Sequence, residues 1–280
     1  MLLRITVLSE PCDSHIILFK APDFIELKVP VDLSEEGRGK TLEFVPVTNV
    51  LTLINYLFGP HGIRVSQHQL DQYWEHAAAH FEWAKGGQHL GYTRRSVPLS
   101  VYGDEARYID QGGFVEKVVV ILLSCPLFAP RSTRNGRWPI FCCRESLTCG
   151  IATINEILKY ISWCMNVVQC GVKPAEGFRG THVPPEDSLI FSGLTFALTE
   201  VRGDWSWHCF SLNLKSRWNS NAMCWKCPAT SKTLNGNVNM AYATTYSEEA
   251  SWIPLQYSNV QFINSQLKNP LCLLANNINQ

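Results

Sequence analysis

The stretch Val97–Asp104, VPLSVYGD, is an apolar run of strand type that ends in Gly103-Asp104. A second run of this kind ends in LTEVRGD, Leu198–Asp204, and therefore in the same dipeptide. Short apolar runs bounded by glycine are typical of strands. The carboxylates of Asp104 and Asp204 could share Mg²⁺ or Mn²⁺ if the two strands are neighbours, since these ions prefer oxygen ligands.

The pattern between and around these two runs predicts an α/β domain. Val115–Cys125 is almost entirely β-branched or Leu, as expected of a strand buried on both faces. Asn135-Gly136 is a strong hairpin signal, and the helix after it ends at Gly171. In chain order the predicted elements are strands over Val97–Asp104, Val115–Cys125 and Trp138–Arg144, a helix over Thr153–Cys170, a strand over Ser188–Val201 and a helix over Trp205–Leu214.

Three strands, a helix, a strand and a helix are the opening of an RNase H-like fold, a mixed sheet with flanking helices. That fold places its first acid on the first strand and its second at the end of the fourth, where Asp104 and Asp204 lie. We therefore expect a core over 93–215, preceded over 1–92 by a region that is mostly helical after residue 45. A cysteine-bearing insert and tail would follow over 216–280. The N-terminal helices are expected over Val45–Phe58 and over Gln67–Trp83, with Ser66 as the N-cap of the second.

The bulk composition excludes several classes of protein. Of 280 residues, 46% are hydrophobic and 17% charged, which is typical of a globular protein and not of a disordered one. Lysine plus arginine and aspartate plus glutamate number 24 each, so no global basic field exists and any DNA site would be local. Eleven scattered cysteines, without a visible secretory signal or membrane span, indicate a reducing intracellular compartment and no membrane partner.

A cysteine pair follows the second acid. Met223–Pro228, MCWKCP, holds Cys224 and Cys227 three positions apart, a spacing at which two thiolates can bind one tetrahedral zinc ion. A closed zinc site needs four ligands, and His208 and Cys209 could complete it if their helix folds back. A pair of buried reduced thiols and a thioredoxin-like redox pair are the alternatives, although the strand–helix placement expected of the latter is missing.

Three arginines, Arg131, Arg134 and Arg137, lie in the turn between the second and third predicted strands. Arginine suits bidentate contact with phosphate, so this turn is a candidate nucleic-acid contact. A solvated hairpin is the alternative. The two acids also have a structural interpretation, because aspartate after glycine at a strand end forms turns by bonding nearby backbone.

Four separated segments resemble a large multicopy family of uncharacterised proteins of dinoflagellate genomes. More distantly, an aspartate at a strand end followed about twenty residues later by a cysteine pair is similar to the DDE transposases of the CACTA and Plavaka type. The four segments are YWEHAAAHFEW (73–83), VPLSVYGDEARY (97–108), EKVVVILLSCPLFAPRSTRNGRWPIF (116–141) and ALTEVRGDWSWHCFSLNLKSRWNSNAMCWKC (197–227).

The resemblance implies a metal-dependent polynucleotidyl transferase that acts on DNA in the nucleus. Asp104 and Asp204 would be its first two metal-binding acids, and Cys224 and Cys227 would be structural zinc ligands. Such transposases need a third acid on a later helix, to which the pair Glu248-Glu249 is not assigned because it follows a loop. We therefore expect a transposase-derived protein with a degenerate DDE core, as in a truncated or degenerate copy. A non-catalytic, zinc-stapled interaction or structural module is the alternative.

Overall fold

The structure is a computed structural model. It describes residues 23–211 apart from 35–36, 61, 82–83, 85–92, 112–113, 131–135, 172–173, 175 and 181–192. Four of the expected site residues, Arg131, Arg134, Cys224 and Cys227, lie outside the described residues, as does the whole of the expected insert and tail over 216–280.

A mixed four-stranded sheet forms the centre of the molecule. Its spatial order is β5-β4-β3-β6. β4 is antiparallel to both β3 and β5, whereas β6 is parallel to β3. A parallel neighbour requires a crossover connection, and helix α3 forms part of it. The bounds of these elements are β3 Ser96–Gln111, β4 Phe114–Ser124, β5 Arg137–Arg144, α3 Ile151–Cys170 and β6 Thr195–Arg202.

Side chains of β3 alternate between two sides of the sheet. Val97, Leu99 and Val101 point to one side, where they are buried in the main hydrophobic cluster together with the apolar stripe of α3. Tyr102 and Asp104 point to the other side and are only half-buried. We call the first side of the sheet the core face and the second the polar face.

An antiparallel ribbon and two helices precede the sheet. The ribbon consists of β1, Phe24–Leu33, and β2, Gly39–Thr48. Helix α1, Val50–Phe58, follows the ribbon directly, and α2 covers Gln67–His80. The two helices begin with side-chain caps, because Asn49 accepts a hydrogen bond from the Thr52 amide and Ser66 forms a capping box with Gln69.

Three hydrogen bonds of long sequence separation fix this N-terminal region to the sheet and to α3. The Thr48 hydroxyl donates to the Pro139 carbonyl of β5 at 2.9 Å. The Val50 amide donates to the Tyr160 hydroxyl of α3 at 3.1 Å. The Trp74 indole of α2 donates to the Ser96 carbonyl at 2.9 Å, at the start of β3. The ribbon and the two helices therefore pack as one body with the sheet.

The expected fold class is confirmed at the level of an α/β protein with a mixed four-stranded sheet and flanking helices, and the elements from β3 onward follow the order that the sequence predicts. Some bounds differ. Residues 45–48 belong to β2 and not to a helix, because Val45 pairs with Leu27 of β1. β3 does not end at Asp104, which pairs with Val120, but runs on to Gln111. None of the helices in the described ranges is long and apolar enough to cross a membrane.

Candidate functional site

The two predicted acids lie on neighbouring parallel segments. The last pair of the β3–β6 ladder joins Tyr102 to Arg202. Asp104 and Asp204 each follow two residues later, and parallel neighbours in a sheet are about 4.8 Å apart. The structure therefore brings the two acids to the same end of β6, as the strand order of the sequence analysis requires. They differ in context, since Asp104 lies within β3 and Asp204 follows the end of β6.

Two glycines allow the close approach of the chain segments that carry the acids. A Cβ on Gly203 would lie 2.7 Å from the Gly103 carbonyl oxygen, and a Cβ on either glycine would overlap the indole of Trp207. Trp207 belongs to α4, Trp205–Ser211, and is only 2% exposed. The Gly-Asp dipeptides therefore have a packing function: each glycine makes room for Trp207 on the core face, beside an acid.

The Asp104 carboxylate is held at both oxygens. Its Oδ2 accepts a hydrogen bond from the Tyr102 hydroxyl at 2.7 Å, and its Oδ1 accepts one from the Glu105 amide at 2.8 Å. A carboxylate oxygen has two lone pairs, so each oxygen keeps one acceptor position after these bonds. The orientation of Asp104 is thus fixed before any further ligand binds.

Asp204 begins helix α4. Its Oδ1 accepts a hydrogen bond from the Trp207 amide at 2.6 Å, in the manner of an N-cap. The side chain is exposed, and its Oδ2 accepts no hydrogen bond from the described residues. Asp204 therefore has both a structural contact and a free oxygen.

Tyr102 links the acids to the one described arginine of the predicted basic turn. The guanidinium of Arg137 lies over the Tyr102 ring, 4.7 Å from its centroid, in a cation–π contact. The bond to Asp104 raises the pKa of Tyr102 above its usual range. The negative charge of Asp204 also raises this pKa and the Arg137 cation lowers it. Tyr102, Arg137 and the two acids thus form one electrostatic group.

Two nearby glutamates that could assist the acids are engaged elsewhere. The Glu105 carboxylate pairs with Lys117 at 3.2 Å, and alternation along β3 places it on the side opposite to Asp104. Glu200 pairs with Arg202, and its charge acts on Tyr73 of α2. Both carboxylates are therefore engaged by cations, and Glu105 also lies on the opposite side of the sheet from Asp104.

His208 and Cys209, the additional zinc ligands expected on α4, are shielded from solvent: His208 is half-buried and Cys209 is buried. Cys209 is 8% exposed, and burial lowers the pKa of His208. Because Cys224 and Cys227 lie outside the described residues, the zinc site stays a prediction. Among the seven described cysteines none forms a disulfide, and burial raises the pKa of Cys125 and Cys143 to about 11.

The donor chemistry of Asp104 and Asp204 fits a hard divalent ion, because all available donors are carboxylate oxygens. The free Oδ2 of Asp204 and the remaining acceptor positions of Asp104 are the atoms that could hold Mg²⁺ or Mn²⁺. In the part of the chain that the structure describes, no group of three or more His, Cys, Asp or Glu side chains is placed to hold a metal. Within the described residues the candidate site thus consists of Asp104 and Asp204.

Comparison with models of protein families, with curated proteins and with solved structures finds no match. The resemblance to the dinoflagellate family and to the DDE transposases stays a prediction that depends on the sequence motifs.

Sequence reasoning missed Tyr102, although the signal was present. Residues i and i+2 of a strand share a face, so a strand that ends in Tyr-Gly-Asp places the phenol beside the carboxylate. The contact with Arg137 could not be inferred in this way. It crosses strand β4, and it depends on the pairing of Ser124 with Arg137 in the β4–β5 ladder.

Proposed function

We propose that this protein has a transposase-derived, degenerate polynucleotidyl transferase core of the DDE type, in which Asp104 and Asp204 bind Mg²⁺ or Mn²⁺ and DNA is the ligand. One observation carries the proposal: the two acids follow the same ladder pair, Tyr102–Arg202, on adjacent parallel strands. Two carboxylates that follow the last ladder pair of neighbouring parallel strands are suited to share a cation.

Each residue of the site has a distinct task in this proposal. Asp104 and Asp204 supply carboxylate oxygens, while Tyr102 and the Glu105 amide orient Asp104. Arg137 lies over the ring of Tyr102 and is the candidate phosphate contact. A bound pair of divalent ions would supply the charge that clamps the attacking and leaving oxygens of a phosphoryl displacement. We expect cation binding to persist and strand cleavage to be weak or lost.

Titration calorimetry with Mn²⁺ tests the proposal on the purified wild-type chain and on the variant Asp104→Asn/Asp204→Asn. Asparagine caps helices about as well as aspartate, so the change at Asp204 should leave the start of α4 intact. A matched control, Glu26→Gln/Glu176→Gln, removes two exposed carboxylates elsewhere on the surface. A nuclease assay and a zinc determination on the same samples complete the experiment.

Saturable Mn²⁺ binding that the aspartate variant abolishes and the glutamate variant retains would support the proposal. Equal binding by all three proteins, or no binding by the wild type, would contradict it. Strand cleavage by the wild type that is lost in the aspartate variant would show an intact and not a degenerate core.

A non-catalytic module is a second candidate, and the hydrogen bonds of the acids favour it. Asp204 caps α4 and Asp104 bonds its own strand, so both residues have structural uses that need no metal. In this alternative the chain is an interaction or structural unit stapled by zinc at Cys224 and Cys227. About one zinc per chain without any Mn²⁺ binding is the result that it predicts.

A further inference from the structure

Tyr102 makes two contacts of different chemistry at the acid pair. Its hydroxyl donates to Asp104 Oδ2 at 2.7 Å. The face of its ring lies 4.7 Å from the guanidinium carbon of Arg137. The hydroxyl and the ring face are separate parts of the side chain, so both contacts exist at the same time.

We propose that Tyr102 is a positioning residue that couples metal binding to phosphate recognition in this site. Its hydroxyl fixes the Asp104 carboxylate, and its ring holds Arg137 beside the acids as the contact for a phosphodiester of a polynucleotide. This inference rests on the proposed function and adds to it the group that recognises the substrate backbone.

The hydroxyl contact concerns the metal side of the site. A carboxylate on a strand can rotate about its side-chain bonds, and rotation would change the direction of its free acceptor positions. The Tyr102 hydroxyl and the Glu105 amide each bond one oxygen of Asp104 and so remove this freedom. Positioning by the tyrosine therefore acts before a cation binds, and loss of the hydroxyl should weaken cation binding without abolishing it.

The ring contact concerns the phosphate side. Arg137 begins β5, which is separated from β3 by β4, so its backbone lies about two strand spacings, roughly 10 Å, from that of Tyr102, and the two side chains meet across β4. Stacking uses the flat face of a guanidinium and leaves the N–H groups at its edge available. Arg137 is exposed, and no carboxylate of the described residues pairs with it. Its donors are therefore available to a phosphate.

The neutral net charge of the chain strengthens this assignment. With 24 basic and 24 acidic residues, the whole molecule does not attract a polyanion, so individual cations decide where one binds. Two other arginines of the sheet are paired with nearby acids. Arg144 pairs with Glu116 at 3.3 Å, and Arg202 pairs with Glu200. Arg137 differs from these because its partner is an aromatic ring, which holds the cation without neutralising it.

The test separates the two contacts with three variants and one control. Tyr102→Phe removes the hydroxyl and keeps the ring, Arg137→Gln removes the cation, and Tyr102→Leu removes both contacts of the tyrosine. The control is Arg107→Gln, which removes an exposed positive charge from the same strand as Tyr102 but from its opposite side. Circular dichroism confirms that each variant is folded.

Two quantities are measured for every protein. The first is the Mn²⁺ dissociation constant from calorimetry. The second is the affinity for a short single-stranded oligodeoxynucleotide over a series of salt concentrations, in EDTA so that no metal-dependent cleavage occurs. The slope of log affinity against log salt counts the phosphate contacts, at about 0.7 per contact for a single strand.

We expect the variants to affect the Mn²⁺ affinity and the salt slope independently. Tyr102→Phe should weaken Mn²⁺ binding about 2- to 10-fold, the loss of one hydrogen bond, and keep the salt slope. Arg137→Gln should keep the Mn²⁺ affinity and reduce the salt slope by about 0.7. Tyr102→Leu should show both losses, and Arg107→Gln should show neither.

Unchanged Mn²⁺ affinity in Tyr102→Phe, while the wild type binds Mn²⁺ through the two aspartates, would overturn the inference and leave the proposed function standing. A salt slope that falls no more in Arg137→Gln than in Arg107→Gln would overturn it as well. If the wild type binds no Mn²⁺, the proposed function fails, and the coupling proposed for Tyr102 fails with it. Equal losses of both quantities in every variant would indicate a general loosening of the structure and contradict the positioning role.

Discussion

The core face and the polar face of β3 are built from alternate residues of one strand, yet they differ in burial and in the contacts that hold their side chains. On the core face Val97, Leu99 and Val101 are at most 1% exposed, and Gly103 continues this row under the indole of Trp207. On the polar face Tyr102 and Asp104 are half-buried. They are joined by a hydrogen bond, and the Tyr102 ring also contacts the Arg137 cation. On the core face the space available for packing determines which side chains fit. On the polar face the directions of hydrogen bonds and of the cation contact determine how the side chains are held.

This difference shows how one short segment can both fold and carry a candidate site. Gly103 and Asp104 are adjacent, so a residue that satisfies tight packing is next to one that must stay accessible. A change on the core face should therefore act on the stability of the whole molecule. A change on the polar face should act on ligand binding and leave the fold intact.

Trp207→Ala is expected to have the largest effect. Trp207 is 2% exposed and fills the space that Gly103 and Gly203 leave open, so its truncation leaves a large cavity. The free energy of unfolding should fall by about 3–5 kcal/mol in a urea titration. A cost below about 1 kcal/mol would mean that the contact with the two glycines contributes little.

Trp207→Phe is the matched control for that substitution. It keeps an aromatic ring and removes the buried indole N–H, for which the structure shows no hydrogen-bond partner. An unsatisfied buried donor is itself unfavourable, so its removal offsets part of the lost packing. The phenylalanine variant should therefore be clearly more stable than the alanine variant.

Gly203→Ala should have the next largest effect. The added Cβ would overlap the Trp207 indole and lie 2.7 Å from the Gly103 carbonyl oxygen. Overpacking of this kind costs about 1–3 kcal/mol in the free energy of unfolding. In the Trp207→Ala background the cost should be much smaller, because the overlapping side chain is gone. An equal cost in both backgrounds would argue against the contact.

The free energy of unfolding at alkaline pH should depend on the hydrogen bond between Tyr102 and Asp104 on the polar face. The hydrogen bond to Asp104 raises the pKa of Tyr102 in the folded state, whereas an unfolded tyrosine titrates near pH 10. A raised pKa means that this group stabilises the fold below about pH 10 and that the contribution is lost as the pH rises through the folded value. Urea titrations should show the difference between wild type and Tyr102→Phe shrinking as the pH rises above about 10. A difference that is constant with pH would exclude this linkage.

The smallest effect is expected for Glu105→Gln. Glu105 is the next residue on the core face after the buried positions that end at Gly103. Glu105 pairs with Lys117 at 3.2 Å, and the lysine also lies 3.5 Å from Glu145. Both partners of the first pair are partly exposed, so its loss should cost less than about 1 kcal/mol. The difference from wild type should disappear at high salt, where exposed charges are screened. A large, salt-independent loss would show that the core extends further along β3.

Much of the architecture could be predicted from sequence patterns. The apolar run over Val115–Cys125 and the periodic helix over Thr153–Cys170 have strong signals, and the structure places β4 and α3 there. The glycine after that helix has a φ of 64°, the left-handed conformation in which glycine ends a helix. Such features are local, so a single sequence reveals them.

Bounds that depend on a partner strand could not be predicted. Residues 45–48 suit a helix by apolar spacing, but pairing with β1 makes them a strand. β3 continues beyond Asp104 because β4 supplies partners as far as Gln111. In each case a tertiary contact overrides the local pattern.

The candidate site was predictable to the same extent. The sequence singles out the two acids because each ends an apolar run, and their neighbouring positions follow from the strand order. The N-cap bond of Asp204, the packing of Trp207 on two glycines and the stack of Arg137 on Tyr102 all require the register between strands. The zinc prediction at Cys224 and Cys227 stays a prediction, since these residues lie outside the described part of the chain.

The central claim is that Asp104 and Asp204 form one shared cation site, and a double-mutant cycle on Mn²⁺ binding tests it most directly. The affinities of wild type, Asp104→Asn, Asp204→Asn and the double variant are compared by calorimetry. If both acids hold the same ion, each single variant should lose nearly as much affinity as the double, so the losses should be strongly non-additive. Additive losses, or full binding by either single variant, would mean that the two carboxylates act separately and would contradict the account.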